Sequence, residues 1–349
     1  MKIGIVKGFA SKNYYGGISV QGRMWLDGLR KLGNEVYLLD NWSNYDWKTF
    51  DWVIIIGLGE LYRGYIELFS DIPSIKIASA PIIDYTGSIW SYGLRGRFQG
   101  CEKIHWYTSI YDEYHLHDRV SLYLVRSNHE MNFLTKGHRF SDFNIRIVPL
   151  NYRTDFPVQE NCKIKKESFV LHVSRLLSSG KNVKRLVEAA VKFKFDLVLA
   201  GTVNGNQERS ALNKMIGDHP NIKYVGRLSD EELLNYYRRA KVFALPSLVE
   251  GVGMVALEAA TQGCNIVLTN LGAPKEYFGG KAFLVNPYSV DDIGSKIMMA
   301  LNDNDSQPYL QNHIIKNYSE DRCIRLLNDT LEEFLHKKKS NVYISSLIK

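Results

Sequence analysis

Short apolar runs, each followed by a turn and then a stretch with helical spacing, recur along most of this chain. Residues 3–7 form the first run. Residues 16–31 follow, with Val20, Met24, Leu26 and Leu29 on a helical repeat that reaches Leu32, and Gly33 ends it. Strand-like runs return at 35–39, Trp52–Ile56, 75–79, 121–125 and 145–148. Strands separated by helices build parallel βαβ units and a doubly wound sheet. After a polar, lysine-rich connection at 161–167 the alternation restarts: strand 169–173, helix 183–194, strand 196–200, a short strand at 222–225, helix 230–240 opened by Ser229, strand 242–245 and strand Asn265–Thr269. Residues 314–339 keep helical spacing through Ile324, Leu327, Leu331 and Phe334. The expectation is an α/β protein of two Rossmann-like doubly wound domains facing across a cleft, residues 1–158 and 165–312. A C-terminal helix and tail, 313–349, returns to brace the first domain, and the polar stretch near 155–167 serves as a hinge. A length of 349 residues agrees with two domains at about 100–200 residues each.

Hydrophobic residues make up 45% of the chain, which excludes a disordered or fibrous protein. The net charge of +7 is uneven: residues 1–160 hold 18 Lys+Arg against 17 Asp+Glu, and the rest holds 26 against 20. A basic second half suits a phosphate-bearing ligand or an anionic membrane surface, whereas the runs Lys163/Lys165/Lys166 and Lys337/Lys338/Lys339 read as solvated. Cys101, Cys162, Cys264 and Cys323 have neither CxxC nor metal-ligand spacing, which fits a reducing compartment. The chain starts with a strand-like run rather than a signal peptide, and no apolar stretch approaches the ~20 residues of a membrane span. A cytoplasmic protein, at most peripherally attached to the inner face of the membrane, is expected.

The stretch PSLVEGVGMVALEAATQG, residues 246–263, concentrates the chemistry. A strand delivers a loop, and a helix starts near Met254. Its unpaired N–H groups and dipole make an anion site at the carboxyl edge of a sheet. Gly251 and Gly253 let a ligand approach the backbone. Glu250 before the glycines and Glu258 one turn into the helix then stand on either side of a bound phosphate. A sugar, a diphosphate and a ribose in a row would use this layout. The plain alternative is a glycine-rich loop with one surface Glu and one exposed helix Glu.

That stretch resembles the nucleotide-sugar signature of the GT-B retaining glycosyltransferases of family 4, the glycosyl transferases group 1 domain. YYGGISVQGRMWLDGL resembles the N-terminal Gly-Gly loop and helix of that family, GNEVYLL its second strand, and IRIVPLNYRTDFP its domain crossing. LHVSRLLSSGKNVKRLVEAA resembles the opening of its second domain, and IKYVGRLSDEELLNYYRRAKVFALPS the approach to the first Glu. The resemblance is good from about 170 to 290 and patchy before 150. It implies that Glu250 contacts donor-sugar hydroxyls and Glu258 the ribose. The amides of Gly253 and Met254 face the diphosphate or sugar. Arg175 and Lys181 bind the diphosphate and neutralise the leaving nucleotide without a metal. Gly201 ends a strand of this domain, Gly226, Arg227 and Leu228 lie against the base, and Gly16 and Gly17 close over the phosphates. It further implies a nucleotide-sugar donor, UDP- or GDP-linked, a glycan or lipid-linked glycan acceptor, retention at the anomeric carbon and no cofactor.

The chain departs from that pattern in two places. Arg175 and Lys181 are six steps apart instead of five, with Asn182 where Gly is usual. No His closes the fourth strand, IKIASAPIID, where Asp84 is the nearest polar candidate for catalysis. Three other motifs read as ordinary structure. DND (303–305) is a solvated turn, HLHD (115–118) a surface segment, and GLGEL (57–61) a strand-to-helix turn. The stretch 84–98 sets Tyr85, Trp90 and Tyr92 beside Arg95 and Arg97 on a loop, which suits sugar stacking, a lipid-phosphate acceptor or core packing. Nucleic-acid binding would need a broader basic stripe. Two rivals share the fold: a nucleotide-sugar epimerase, and a non-catalytic sugar-nucleotide-binding partner in a synthase complex.

Overall fold

Each series of apolar runs makes one six-stranded, all-parallel sheet. The computed structural model describes residues 1–8, 17–40, 42–101, 106–158 and 165–336. In the first domain the order along the chain is β1 (Lys2–Lys7), α1 (Gly17–Lys31), β2 (Glu35–Leu38), β3 (Trp52–Ile56), α2 (Tyr62–Ser70), β4 (Lys76–Ala80), α3 (Ile89–Phe98), α4 (Ser109–His115), β5 (Leu122–Val125), α5 (Asn128–Asn132) and β6 (Ile145–Ile147). Its strands run β2-β1-β3-β4-β5-β6. Trp52 to Ile56 are buried throughout because helices cover both faces of the sheet.

The second domain holds β7 (Glu167–Val173), α6 (Val183–Phe193), β8 (Leu197–Ala200), α7 (Gly205–Ile216), β9 (Ile222–Tyr224), α8 (Asp230–Arg239), β10 (Ala240–Leu245), α9 (Met254–Thr261), β11 (Asn265–Thr269), α10 (Pro274–Tyr277), β12 (Phe283–Val285) and α11 (Val290–Asn302). Its strand order is β12-β11-β10-β7-β8-β9. Ser229 opens α8 with a reciprocal capping box, its hydroxyl accepting from Glu232 N–H while the Glu232 carboxylate accepts from Ser229 N–H.

The tail is two helices, where the sequence spacing suggested one. The α12 helix (Tyr309–Asn317) packs on α9, with Gln311 donating to Thr261 O at 2.7 Å. The α13 helix (Glu320–Leu335) lies on α1. Ser319 breaks the run because its hydroxyl caps α13 by accepting from Arg322 N–H. The return to the first domain therefore falls at Tyr318–Ser319, not at 312. Lys31–Glu320 and Asn34–Asn328 contacts hold α13 there, and Lys76 Nζ donates to Phe334 O and Leu335 O at its end. The outward crossing is apolar ahead of the expected hinge. Leu150, Tyr152 and Phe156 are buried in a hydrophobic cluster that runs through both domains, and Tyr152 N–H donates to Tyr318 O, joining one crossing to the other. Of the expected hinge, 159–164 lies outside the described residues.

The aromatic stretch is likewise helical rather than a loop. Ser88 caps α3, and Gly93 and Gly96 sit inside it because a Cβ there would come within 2.1 Å of Gly137 O and 2.3 Å of His138. Tyr92 is core, whereas Trp90 and Phe98 are each 74% exposed. The DND residues form a turn in which Asp303 Oδ1 accepts from Asp305 N–H. Among the described residues no helix is long and apolar enough to cross a membrane.

Candidate active site

The second sheet changes direction beside β7, which has β10 on one side and β8 on the other. Loops leaving the carboxyl ends of such neighbours border a ligand crevice. Here they carry Arg175 to Lys181 after β7 and Pro246 to Gly253 after β10. The loop after β8 joins them. Gly201 has φ 142°, and a Cβ on it would lie 1.7 Å from Ser174 O, so no other residue fits. Its N–H donates to Gly226 O at 2.8 Å, tying the loop after β8 to the one that carries Arg227 and Leu228. An open cavity of about 440 Å³ lies there, between Gly201–Asn206 and Tyr224–Arg227.

Lys181 and Glu250 meet directly. Lys181 Nζ lies 2.8 Å from Glu250 Oε2, which also accepts from Ser247 Oγ at 2.9 Å. Asn182 explains its own departure from Gly. It has φ 59°, the left-handed region that Asn tolerates better than most residues, and its amide donates to Pro246 O and Pro287 O, fixing Lys181 against the β10 loop. Gly253, at φ 77°, turns the chain into α9, so that the Met254 end of the helix presents its unpaired N–H groups to the cleft. Arg175 stands exposed at the end of β7. Beneath this loop His172 is fully buried. Its Nδ1 lies 2.8 Å from Ala244 O and its Nε2 2.7 Å from Ser174 Oγ, and burial pulls its pKa down to about 4.

From the first domain, Gly17 begins α1 opposite Met254; a Cβ on Gly17 would lie 3.8 Å from Met254 Cε. The first residues of α1 and α9 thus come together across the cleft. Gly16 lies outside the described residues. Asp84, 47% exposed, sits 3.6 Å from buried Arg126, and both border Gly251: a Cβ there would meet Asp84 Oδ1 and Arg126 Nη1 at 3.1 Å. Burial in the cleft raises the Asp84 pKa, against the pull of Arg126. Two residues of α10 fasten this side. Glu276 accepts from the N–H groups of Asn128 and His129 at the start of α5, and Tyr277 O–H donates to Arg126 O while accepting from Leu150 N–H. Sequence reasoning missed Arg126, Glu276 and Tyr277, which carry no motif of their own.

Glu258 is not the exposed helix residue that the sequence suggested. It is 2% exposed, because Arg153 from the domain crossing covers it. Arg153 Nε donates to Glu258 Oε1 at 2.6 Å, and Oε2 accepts from Tyr237 O–H at 3.1 Å. Burial raises the Glu258 pKa, opposed by Arg153 and Tyr237. Arg153 also reaches Asp230 Oδ1 at 3.1 Å.

Residues 155–320 match the family model for glycosyl transferases group 1. O-antigen chain mannosyltransferase B of Escherichia coli is 27% identical over 165 residues, which is 45% of this chain and 42% of that one. The chain thus spans less than half the length of this curated relative. Among solved structures, sucrose-phosphate synthase from Thermosynechococcus elongatus superposes with a TM-score of 0.73 at 14% identity, covering 95% of this chain and 99% of that one. Anabaena HepE, solved with UDP and glucose, gives 0.70 at 13% identity over 95% and 99%. At such identities the likeness is one of fold. The chain has the GT-B fold, and its residues 155–320 belong to the glycosyl transferases group 1 family.

Proposed function

We propose that the protein is a metal-independent, retaining glycosyltransferase that moves a sugar from a nucleotide-sugar to a glycan or lipid-linked glycan. The observation that carries this reading is the meeting of Lys181, Glu250 and the N-terminus of α9 at one crevice, opposite the N-terminus of α1. The diphosphate lies between the two helix ends, where unpaired amides and dipoles favour anions. Arg175 and Lys181 neutralise the charge that grows on the departing phosphate, a role a metal plays elsewhere. Glu250, held by Lys181 and Ser247, accepts hydroxyls of the donor sugar. Gly251, Asp84 and Arg126 wall the sugar end, and the cavity beside Gly226 to Leu228 takes the base. As the sugar–phosphate bond breaks, the acceptor oxygen bonds to the anomeric carbon from the same face, and its proton passes to the leaving phosphate oxygen.

The nucleotide reading, UDP or GDP, is supported by the UDP and glucose in the Anabaena neighbour and by the mannosyltransferase name of the curated relative. That relative's name, an O-antigen chain mannosyltransferase, favours polysaccharide synthesis. The exposed Trp90 and Phe98 beside Arg95 support peripheral contact with a membrane carrying a lipid-linked acceptor. A thermal-shift panel of UDP-, GDP- and dTDP-sugars identifies the donor, because a ligand of the folded state raises its stability. Proton NMR of the transferred sugar then reads the anomeric coupling. The donor's own configuration is expected in the product; the opposite configuration overturns retention.

A further inference from the structure

We propose that Glu130 is a positioning residue for transfer: it holds the turn that carries Asp84, so that the Asp84 carboxylate meets a sugar hydroxyl on the first-domain side of the cleft. The inference rests on the functional reading above. Asp84 and Arg126 follow the carboxyl ends of neighbouring strands, β4 and β5. Between β4 and Asp84 the chain passes through Ile82 at φ 55°. A β-branched residue rarely adopts that left-handed region, so its surroundings must hold it there. Backbone strain of this kind gathers where a chain is set in advance for a ligand.

Glu130 supplies the hold. It is 1% exposed and sits in the first turn of α5, where its N–H donates to Ser127 Oγ at 3.2 Å. Its carboxylate turns back to the two strand ends. Oε1 accepts from Ile83 N–H at 3.1 Å, from Arg126 Nε at 2.9 Å and from Arg126 Nη2, while Oε2 accepts from Arg126 N–H at 2.6 Å. One buried anion thus fixes both the residue before Asp84 and the guanidinium beside it. Arg126 Nη2 ends 3.6 Å from Asp84 Oδ1, beyond a hydrogen bond, so the half-exposed carboxylate keeps its acceptor capacity for a ligand. Both side chains border Gly251, and the charges of Glu250 and Lys181 act on Asp84 from the second domain. Arg126 against Glu130 and Asp84 is one positive charge against two negative, so this wall suits the O–H groups of a neutral sugar. Removing the Glu130 charge would free the guanidinium to close on Asp84 and occupy it.

The test measures kcat, UDP and GDP affinity and melting temperature for the full chain, for Glu130→Gln, for Asp84→Asn and for the double variant. The donor is UDP-glucose or GDP-mannose, whichever the wild type turns over faster. Glu130→Gln is expected to lower kcat by about 10- to 100-fold, the scale of a misplaced group at the reacting centre, with nucleotide affinity unchanged. Asp84→Asn should lower kcat as well, and in its background Glu130→Gln should cost little more, because Glu130 acts through Asp84. Ile82→Gly gives a second route that leaves every buried charge in place: it allows the left-handed turn without fixing it, and should show the same loss of kcat with the same dependence on Asp84. Wild-type kcat in a folded Glu130→Gln or Ile82→Gly chain, or losses that multiply in the double variants, would overturn the proposal. A wild-type chain that transfers from no nucleotide-sugar would sink the functional reading together with it.

Discussion

Lys181 Nζ and Glu250 Oε2 lie 2.8 Å apart, so the cation assigned to the leaving phosphate and the anion assigned to the sugar hydroxyls orient each other. Each then depends on its partner for position. Lys181→Met is expected to lower kcat by about 10²-fold, the scale on which a transition-state charge partner is lost, with a smaller rise in donor KM. Glu250→Gln should also act mainly on kcat, and the double variant should lose less than the product of the two. Steady-state kinetics check this; fully multiplicative losses would mean that the two residues work independently.

Gly251 is one point where the second domain touches Asp84 and Arg126. The Cβ of Gly251→Ala would meet both at 3.1 Å, and only a small displacement of the first-domain pair would accommodate it. The fold should survive, while turnover falls by about 10- to 100-fold through misplacement at the reacting centre. Gly201→Ala, whose Cβ would fall 1.7 Å from Ser174 O, should instead abolish folded protein. Melting curves and turnover measured on both variants distinguish a crowded site from a broken strand end.

His172 links stability to pH. Its folded pKa of about 4 lies below the usual 6.5, so the unfolded chain binds the extra proton first as pH falls. The stabilisation by neutral, buried His172 is complete above pH 6.5 and is lost progressively down to about pH 4, to a total on the order of 3 kcal/mol. Denaturant unfolding between pH 7 and 4 should show a steeper decline for wild type than for His172→Gln. Parallel declines would place the acid sensitivity elsewhere.

The exposed face of α3 gives a separate expectation. Trp90 and Phe98 are eight residues apart on the helix, with half-buried Leu94 between them and exposed Arg95 beside them. Trp and Phe on such a face insert at a lipid interface, and Arg adds attraction to anionic headgroups. Sedimentation with anionic phospholipid vesicles should carry down the wild type and leave most of a Trp90→Ser/Phe98→Ser chain in solution. Equal sedimentation of both would remove this surface from the membrane reading.

The strands were legible because buried parallel strands are continuous apolar runs; Trp52–Ile56 and Asn265–Thr269 have the expected bounds. The start of α9 at Met254 was legible from its glycines. Short elements without amphipathic length, α2, α4, α5 and the three-residue β12, gave no periodic signal. The break at Ser319 carried one, a Ser followed by Glu320 and Asp321, but the apolar repeat on either side masks it. At the site, local spacing pointed to Glu250, Lys181 and the helix end. The cover on Glu258 was not legible, because Arg153 is 105 residues away in sequence and only the outward domain crossing brings it there.

The central claim is transfer at this crevice by Lys181, Glu250 and two helix ends, without a metal. It is tested most directly by measuring nucleotide released from the donor sugar, with and without a glycan acceptor, in excess chelator. Release should rise when acceptor is added, persist in chelator, and fall by about 10²-fold in Lys181→Met. Turnover lost in chelator and restored by Mn²⁺ or Mg²⁺, or release that never responds to acceptor, would contradict it.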